Sequence, residues 1–380
     1  MINKNKKLFI VVNVDWFFLS HRLPIALAAK EEGYDVTIVA FDTGKKDEII
    51  SHGLHFIDIP FKRSGYNVFH ELKCVFLLAH LYRKYKPDVI HQVTLKVCLL
   101  GCLASKISGT KNVINAICGF GYNFTSGRKS LLQLIVRYAI KFVFKSKSFF
   151  FILQNQDDIT MLKNFSFINS DNIILIKGSG VDLNKWTFSS EPSAERIKIL
   201  FPARVLYDKG IMEFLQAAKS CRSAYRNRAL FIIAGDCDTE NLACMPESEL
   251  KQLLEEDYIV WLGFQKNIFK IMTDSNIIVL PSYREGMPKA LMEACAVGRP
   301  IVTTNAIGCK ECVIDGENGF LVSVKQYESL ADKIRLLIDD KKLRTEMGVK
   351  GRRLAEKEFS IDFVVMKTLN LYGRVLTTAK

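Results

Sequence analysis

Short unbroken apolar runs alternate along this chain with longer stretches in which apolar residues recur every three or four positions. The short runs, rich in Ile, Val and Phe, predict buried strands; the longer ones predict amphipathic helices. In the first half, strands are expected over 8–14, 35–41, 54–59, 88–93 and 112–117. Helices are expected over 21–33, 69–85 (stopping before Pro87) and 98–108. A second series of strands covers 197–202, 229–234, 258–262, 276–281, 300–304 and 319–322. Its helices begin at 211 and then occupy 267–273, 326–339 and 341–357. Strand–helix alternation of this kind predicts parallel sheets covered by helices, an α/β fold. The polar, Ser- and Pro-bearing stretch 187–195 reads as the connector. The expected domains are therefore 1–186 and 196–360, with 361–380 forming one more amphipathic helix.

A length of 380 residues suits two domains, and 49% hydrophobic with 24% charged residues is globular. No run of 18 residues lacks a charge, so no membrane-spanning helix is expected. The first residues lead straight into the first apolar run, which reads as a core strand rather than a secretory leader. Ten cysteines are scattered without a framework. The lone pair Cys309 and Cys312 lacks the two further ligands that zinc requires, so ordinary reduced thiols of a cytosolic protein are expected.

Charge changes the picture more. Residues 1–190 hold 25 Lys/Arg against 14 Asp/Glu, whereas 191–380 hold 28 against 26. The block 101–150 has eight basic residues and no acidic one. A basic half beside a near-neutral half points to an anionic surface partner, or to a solvated basic face. Within that block, 131–148 reads as an amphipathic helix with Arg137, Lys141, Lys145 and Ser148 on one stripe. Such a helix can lie on an anionic membrane or form the wet edge of a core.

The candidate chemistry concentrates in the second half. Pro281-Ser282-Tyr283-Arg284-Glu285-Gly286-Met287-Pro288-Lys289-Ala290 leads from a strand into a helix that carries Glu293. Pro288 suits a first helical turn. Glu285 is then on the loop at the strand's carboxyl end and Glu293 about two turns deeper. Ligands of open α/β sheets bind at such loops. Two carboxylates flanking a helix N-terminus suit a ligand with hydroxyls at both ends and an anion between, the shape of a nucleotide sugar. Glu293 alternatively faces solvent as an ordinary helix residue. After the first strand of this half come Arg204, Lys209 and Gly210. Two cations on one loop can neutralise a diphosphate, and the glycine permits a tight turn.

These residues resemble the donor domain of glycosyltransferase family 4, retaining enzymes of GT-B architecture. The resemblance runs through Arg204, Lys209-Gly210, Ala234-Gly235-Asp236, Trp261-Leu262-Gly263, the segment from Pro281 to Glu293, Gly298 to Thr304, Gly308 to Glu311, and Asp315 to Val322. It covers about 190–360, with Gly180-Val181-Asp182 similar to the family's interdomain stretch. It implies two Rossmann-like parallel-sheet domains facing a cleft, with the final helix crossing back to the first. It also implies that Arg204 and Lys209 hold the donor diphosphate, that Glu285 contacts sugar hydroxyls, and that Glu293 contacts ribose hydroxyls. Gly286, Met287, Pro288, Lys289 and Ala290 would line the donor site, with backbone N–H groups cradling phosphate. Many relatives have Gly where Pro288 stands, so one backbone donor is missing. That subtype resembles enzymes of bacterial surface-polysaccharide and O-antigen assembly. Retention without an evident nucleophile implies front-face attack by the acceptor hydroxyl.

The resulting expectation is a hexosyl- or N-acetylhexosaminyltransferase, using a UDP-sugar and a lipid-linked (undecaprenyl-diphosphate) glycan, peripheral on the cytoplasmic face of the inner membrane. An epimerase or phosphorylase of the same fold is the alternative. No cofactor or metal is expected, although Asp236-Cys237-Asp238 after a strand could chelate a divalent ion. In the first half, His21, after the first strand, is a candidate cleft contact or a structural histidine. Gly119 and Gly121 follow another strand but lack the third glycine of a dinucleotide fingerprint. A nucleic-acid-binding module is disfavoured because no aromatic-basic signature or helix-turn-helix pattern accompanies the basic charge.

Overall fold

The computed structural model describes residues 6–62, 67–120, 141–164, 168–193, 195–255 and 257–378. Within them the apolar runs pair into two wholly parallel sheets. The first contains β1 (Lys6–Val14), β2 (Tyr34–Phe41), β3 (His55–Asp58), β4 (Val89–Val93), β5 (Val113–Ile117), β6 (Phe149–Leu153) and β7 (Ile173–Leu175), in the order β3-β2-β1-β4-β5-β6-β7. The second contains β8 (Ile197–Phe201), β9 (Ala229–Ile233), β10 (Ile259–Trp261), β11 (Ile277–Leu280), β12 (Ile301–Thr304) and β13 (Gly319–Val322), in the order β10-β9-β8-β11-β12-β13. Every residue of β4, β5, β6, β11 and β12 is buried. Helices on both faces require that, which is why these strands are continuous apolar runs. Alternate residues of β1 serve opposite faces: Phe9 and Val11 join one apolar layer, Leu8, Ile10 and Val12 the other.

The chain forms two compact units, Met1–Ser179 with Asp362–Lys380, and Gly180–Ile361. The division falls ahead of the stretch 187–195 read as a connector. Buried Arg299 explains the difference, because it donates to Ser189 O, Ser189 Oγ and Ser190 O at 2.7–3.1 Å. Arg344 binds Glu191 at 2.5 Å. A Ser/Pro composition marks a tether only where nothing else binds its polar groups. The helix Ile361–Thr378 contributes Val364, Leu371, Tyr372 and Val375 to a core layer of the first unit. Tyr372 OH lies 2.6 Å from His91 Nδ1.

Strands β6 and β7 are absent from the sequence reading. The amphipathic reading of 131–148 runs on through the polar Lys145–Ser148, where the structure has no helix, and so passes over the start of a strand at Phe149; β7 has three residues. The short helices Lys46–Ser51, Gln156–Lys163 and Glu247–Leu253 were also not predicted. The helix expected over 21–33 is two, Asp15–His21 and Leu23–Glu31. Pro24, favoured in a first turn, starts the second.

Candidate active site

In the second sheet the strand order reverses between β8 and β11, which are neighbours. The loops leaving the carboxyl ends of two such strands diverge and leave a crevice there. The loop after β8 carries Arg204 and a tight turn, Tyr207–Lys209, before the helix Ile211–Tyr225. The loop after β11 carries Glu285 and leads into the helix Lys289–Val297.

The two loops are bonded together. Gly210 has φ +79°, and a Cβ there would lie 2.1 Å from Pro281 O. Only glycine allows that approach. Tyr283 N donates to Asp208 O at 2.9 Å, and Ser282 Oγ lies 3.0 Å from the same oxygen. Ser282 Oγ is also 2.9 Å from Glu285 Oε1, and Lys209 Nζ donates to that same Oε1. The Lys209 and Glu285 side chains are only 19% and 14% exposed, so their pairing is stronger than a surface ion pair. On the far side, Glu285 N donates to Ile307 O at 2.9 Å. Gly308, at φ +83°, would place a Cβ 2.3 Å from Glu285 O. Tyr283 OH is further held by Glu213 Oε1 at 2.7 Å.

Arg204 binds Asp238. The sequence pattern aims both cations at an anion; in the structure each holds a carboxylate. The carboxylates of the Asp-x-Asp pair serve separate partners, since Asp236 Oδ1 accepts from Phe264 N at 2.8 Å. Among the described residues, no group of three His, Cys, Asp or Glu side chains is arranged to hold a metal ion.

Pro288 stands as the N-cap of the helix Lys289–Val297, with φ −72° and ψ 116°. The first N–H groups of a helix have no intrahelical acceptor and carry its positive dipole end. Gly286, Met287 and Pro288 are buried; Lys289 and Ala290 are half-buried. Glu293 is buried, not on a wet helix edge. Burial lifts its carboxyl to about 7, opposed by Lys289, whose Nζ is 3.7 Å away.

In the first unit, His21 is half-buried, stacked on Phe17 at 4.3 Å, with Nδ1 2.6 Å from Ser20 Oγ. Gly119, at φ +114°, follows β5. Arg22 links the two neighbourhoods, donating to His21 O at 3.0 Å and reaching Cys118 Sγ at 3.5 Å. Gly121 lies outside the described residues, as do residues 131–140 of the expected amphipathic helix and its Arg137. A cavity lined by Lys7, Asp35, His55 and Tyr85 lies at the amino ends of the first sheet's strands, away from the carboxyl ends where ligands of such sheets bind. The sequence reading assigned no role to Ser282, Gly308 or Glu213. Their signal was present in part, since Ser282 and Gly308 fall inside the quoted motifs.

Two wholly parallel sheets of this strand order, one in each unit, are the pair of Rossmann-like sheets of the GT-B architecture. The family described as glycosyl transferases group 1 matches residues 183–354, and that described as glycosyl transferase 4-like matches residues 7–155. The chain belongs to the family 4 type of glycosyltransferases. It is similar to N,N'-diacetylbacillosaminyl-diphospho-undecaprenol alpha-1,3-N-acetylgalactosaminyltransferase of Campylobacter jejuni, with 28% identity covering 94% of this chain and 98% of the relative. It is also similar to UDP-Gal:alpha-D-GlcNAc-diphosphoundecaprenol alpha-1,3-galactosyltransferase of Escherichia coli, with 26% identity covering 90% and 89%. Among solved structures, Anabaena HepE in complex with UDP superposes with a TM-score of 0.77 at 20% identity, covering 97% of this chain and all of the other. These findings favour sugar transfer over the epimerase or phosphorylase alternative. No helix among the described residues is long and apolar enough to cross a membrane.

Proposed function

We propose that this enzyme transfers a hexose or N-acetylhexosamine, with retention, from a UDP-sugar to an undecaprenyl-diphosphate-linked glycan in surface-polysaccharide synthesis. The observation that carries the reading is the bonded loop pair at the β8/β11 switch point, with Lys209 and Ser282 both on one oxygen of Glu285. The names of the Campylobacter and Escherichia relatives support the acceptor class, and the Escherichia name together with the UDP complex of HepE supports the donor.

In this reading the donor diphosphate replaces carboxylates as the partner of Lys209 and Arg204. Glu285, released from Lys209, accepts hydroxyls of the transferred sugar. Breaking the anomeric C–O bond places charge on the diphosphate, which the two cations and the start of the helix Lys289–Val297 stabilise without reorganising. The acceptor hydroxyl attacks from the face the leaving group departs and gives its proton to the departing diphosphate oxygen. Glu293 ionises as it accepts ribose hydroxyls. No metal takes part in the step. The enzyme works peripherally at the cytoplasmic face of the inner membrane, where its basic first half meets anionic lipid.

The test is a panel of UDP-sugars against detergent-solubilised undecaprenyl-diphosphate glycans, with and without EDTA. We expect transfer in both conditions and loss of transfer in Glu285→Ala with the fold intact. Full activity of Glu285→Ala removes that carboxylate from the mechanism. Epimer formation from donor alone overturns transfer, and dependence on a divalent ion overturns the metal-free step.

A further inference from the structure

The helix Val68–Tyr85 of the first unit presents one unusual face. Asn67 caps its start, accepting from His70 N, and Lys86 in the left-handed region ends it before Pro87. Cys74, Val75, Leu78, Ala79 and Tyr82 are buried in the core. On the outer face, Phe69 is 85% exposed, Phe76 61%, and Leu72 and Leu77 are exposed beside them. Spacings of three, four and seven residues put Phe69, Leu72 and Phe76 on one stripe, with Leu77 at its edge. The remaining exposed residues of the helix are apolar Val68, at its start, and Lys73, His80, Arg83 and Lys84. None of the helix's exposed residues is acidic; Glu71, half-buried, is paired with Lys96 at 2.6 Å.

Exposed phenylalanines are expensive on a soluble surface, and a cluster of them marks a surface that meets something. The charge decides what. A protein partner of ordinary composition offers both signs, whereas an anionic bilayer offers apolar depth beneath a negative headgroup layer. An apolar stripe flanked only by basic residues fits the second. The neighbouring surface continues the pattern. Arg83 donates to Ile107 O, and Ile107 is exposed. Lys106 donates to Phe142 O and lies over the Phe142 ring, itself 69% exposed. In the second unit exposed large apolar residues such as Leu242, Ile314 and Leu336 are spread along the chain, with Leu262 and Phe264 a pair on one loop.

We infer that the outer face of Val68–Tyr85 is a bilayer-docking surface, with Phe69, Leu72, Phe76 and Leu77 entering the acyl boundary of an anionic membrane and Lys73, His80 and Lys84 at its headgroups. This deepens the proposed function, since a lipid-linked acceptor must be met at that surface, but it assigns the contact to a helix other than the basic stretch 131–148.

The experiment uses the full chain with vesicles of phosphatidylglycerol and phosphatidylcholine, and with phosphatidylcholine alone. Binding is expected to the anionic vesicles and to fall with salt. The double variant Phe69→Ser/Phe76→Ser should lower the partition coefficient by roughly a hundredfold, about tenfold for each ring. Its transfer to a short-chain, water-soluble diphosphate acceptor should be unchanged, which separates failure of docking from failure of the transferase reading. Because both rings are exposed, thermal melts of the variant should match the parent. As an independent readout, Phe76→Trp should blue-shift on anionic vesicles and be quenched by brominated acyl chains. Unchanged vesicle binding by the double variant, or no quenching of Trp at position 76, overturns the proposal. So does conversion of a dimer to a monomer by the double variant with vesicle binding intact, which would make the face a protein interface.

Discussion

The two units share a strand order yet use it differently. In each, the first and fourth strands of the unit are neighbours and the order reverses between them, β1 with β4 and β8 with β11. At the second unit's switch point, Lys209 from one loop and the Ser282 hydroxyl from the other meet on one oxygen of Glu285. At the first unit's, the helix Asp15–His21, directly after β1, starts on Asp15, which is consumed locally. It accepts from Thr43 N, Thr43 Oγ1, Lys45 N and Trp16 N at 2.5–2.9 Å and so ties the end of β1 to the loop after β2. Nearby Arg22 is buried and turned to His21 O and Cys118 Sγ. Identical topology therefore supplies a place for chemistry, while loop composition decides whether that place is exchangeable or sealed. An ion pair at a crevice can trade partners with a ligand; a carboxylate saturated by four donors cannot.

The largest expected effect falls on the exchangeable side. Lys209→Ala should lower kcat on the order of a hundredfold or more, the usual loss when one transition-state donor is removed. Asp15→Asn should leave kcat within a few-fold after correction for folded fraction. Equal losses in steady-state assays would erase the contrast between the units. Gly308→Ala comes next. A Cβ cannot fit beside Glu285 O, and the positive φ strains any other residue, so the glutamate loop must shift. We expect kcat/KM to fall roughly tenfold or more with little change in global melting.

Two buried acids, Glu293 in the second unit and Asp15 in the first, give opposite pH behaviour. Glu293 is lifted by burial from 4.5 to about 7, so the folded chain holds an extra proton across that window. Stability from this group therefore falls as pH rises from about 4.5 to 7 and is flat above. Glu293→Gln should be more stable than the parent above pH 7, on the order of 3 kcal/mol, and equal to it near pH 4. For Asp15, burial pushes the carboxyl up but the hydrogen bonds from Thr43, Lys45 and Trp16 prevail and hold it below its ordinary value. Its contribution is present above the unfolded value and is lost as pH falls through the folded one. Asp15→Asn should thus lose about 1–3 kcal/mol at neutral pH and nothing in strong acid. Urea titrations across pH check both signs. The smallest effect is Ser282→Ala, which removes the hydroxyl donor on Glu285 and should cost a few-fold in kcat/KM, about 1 kcal/mol. A loss as large as that of Lys209→Ala would mean the hydroxyl meets the substrate itself.

Much of the architecture was legible because buried parallel strands must be apolar throughout and the helices between them must be apolar on one side. That requirement made most strands visible, together with the helix containing Glu293. It failed where the basic, serine-bearing break Lys145–Ser148 was read as the polar stripe of a helix, which hid the strand Phe149–Leu153, and where helices were a turn or two long. The site residues were legible by type and spacing, since two cations, a glycine turn and two glutamates around a helix start are an unusual combination. Their partners were not. That Arg204 binds Asp238 and that Lys209 and Ser282 share Glu285 depends on contacts 34, 76 and 3 residues apart, and two of the three cross between strands. The connector was misread for the same reason, because Arg299 reaches Ser189 from 110 residues away.

By itself, then, the order of residues determined which segments become strands and helices, which glycines can turn tightly, and which charged groups lie at strand ends, because these follow from local sterics and from periodic burial. The tertiary structure alone decided which strand ends are neighbours, which carboxylate each cation holds, how deeply Glu293 is buried, and which helix face is left bare. Those depend on packing between segments distant in the chain, and neither electrostatic strength nor exposure exists until that packing sets distance and solvent access.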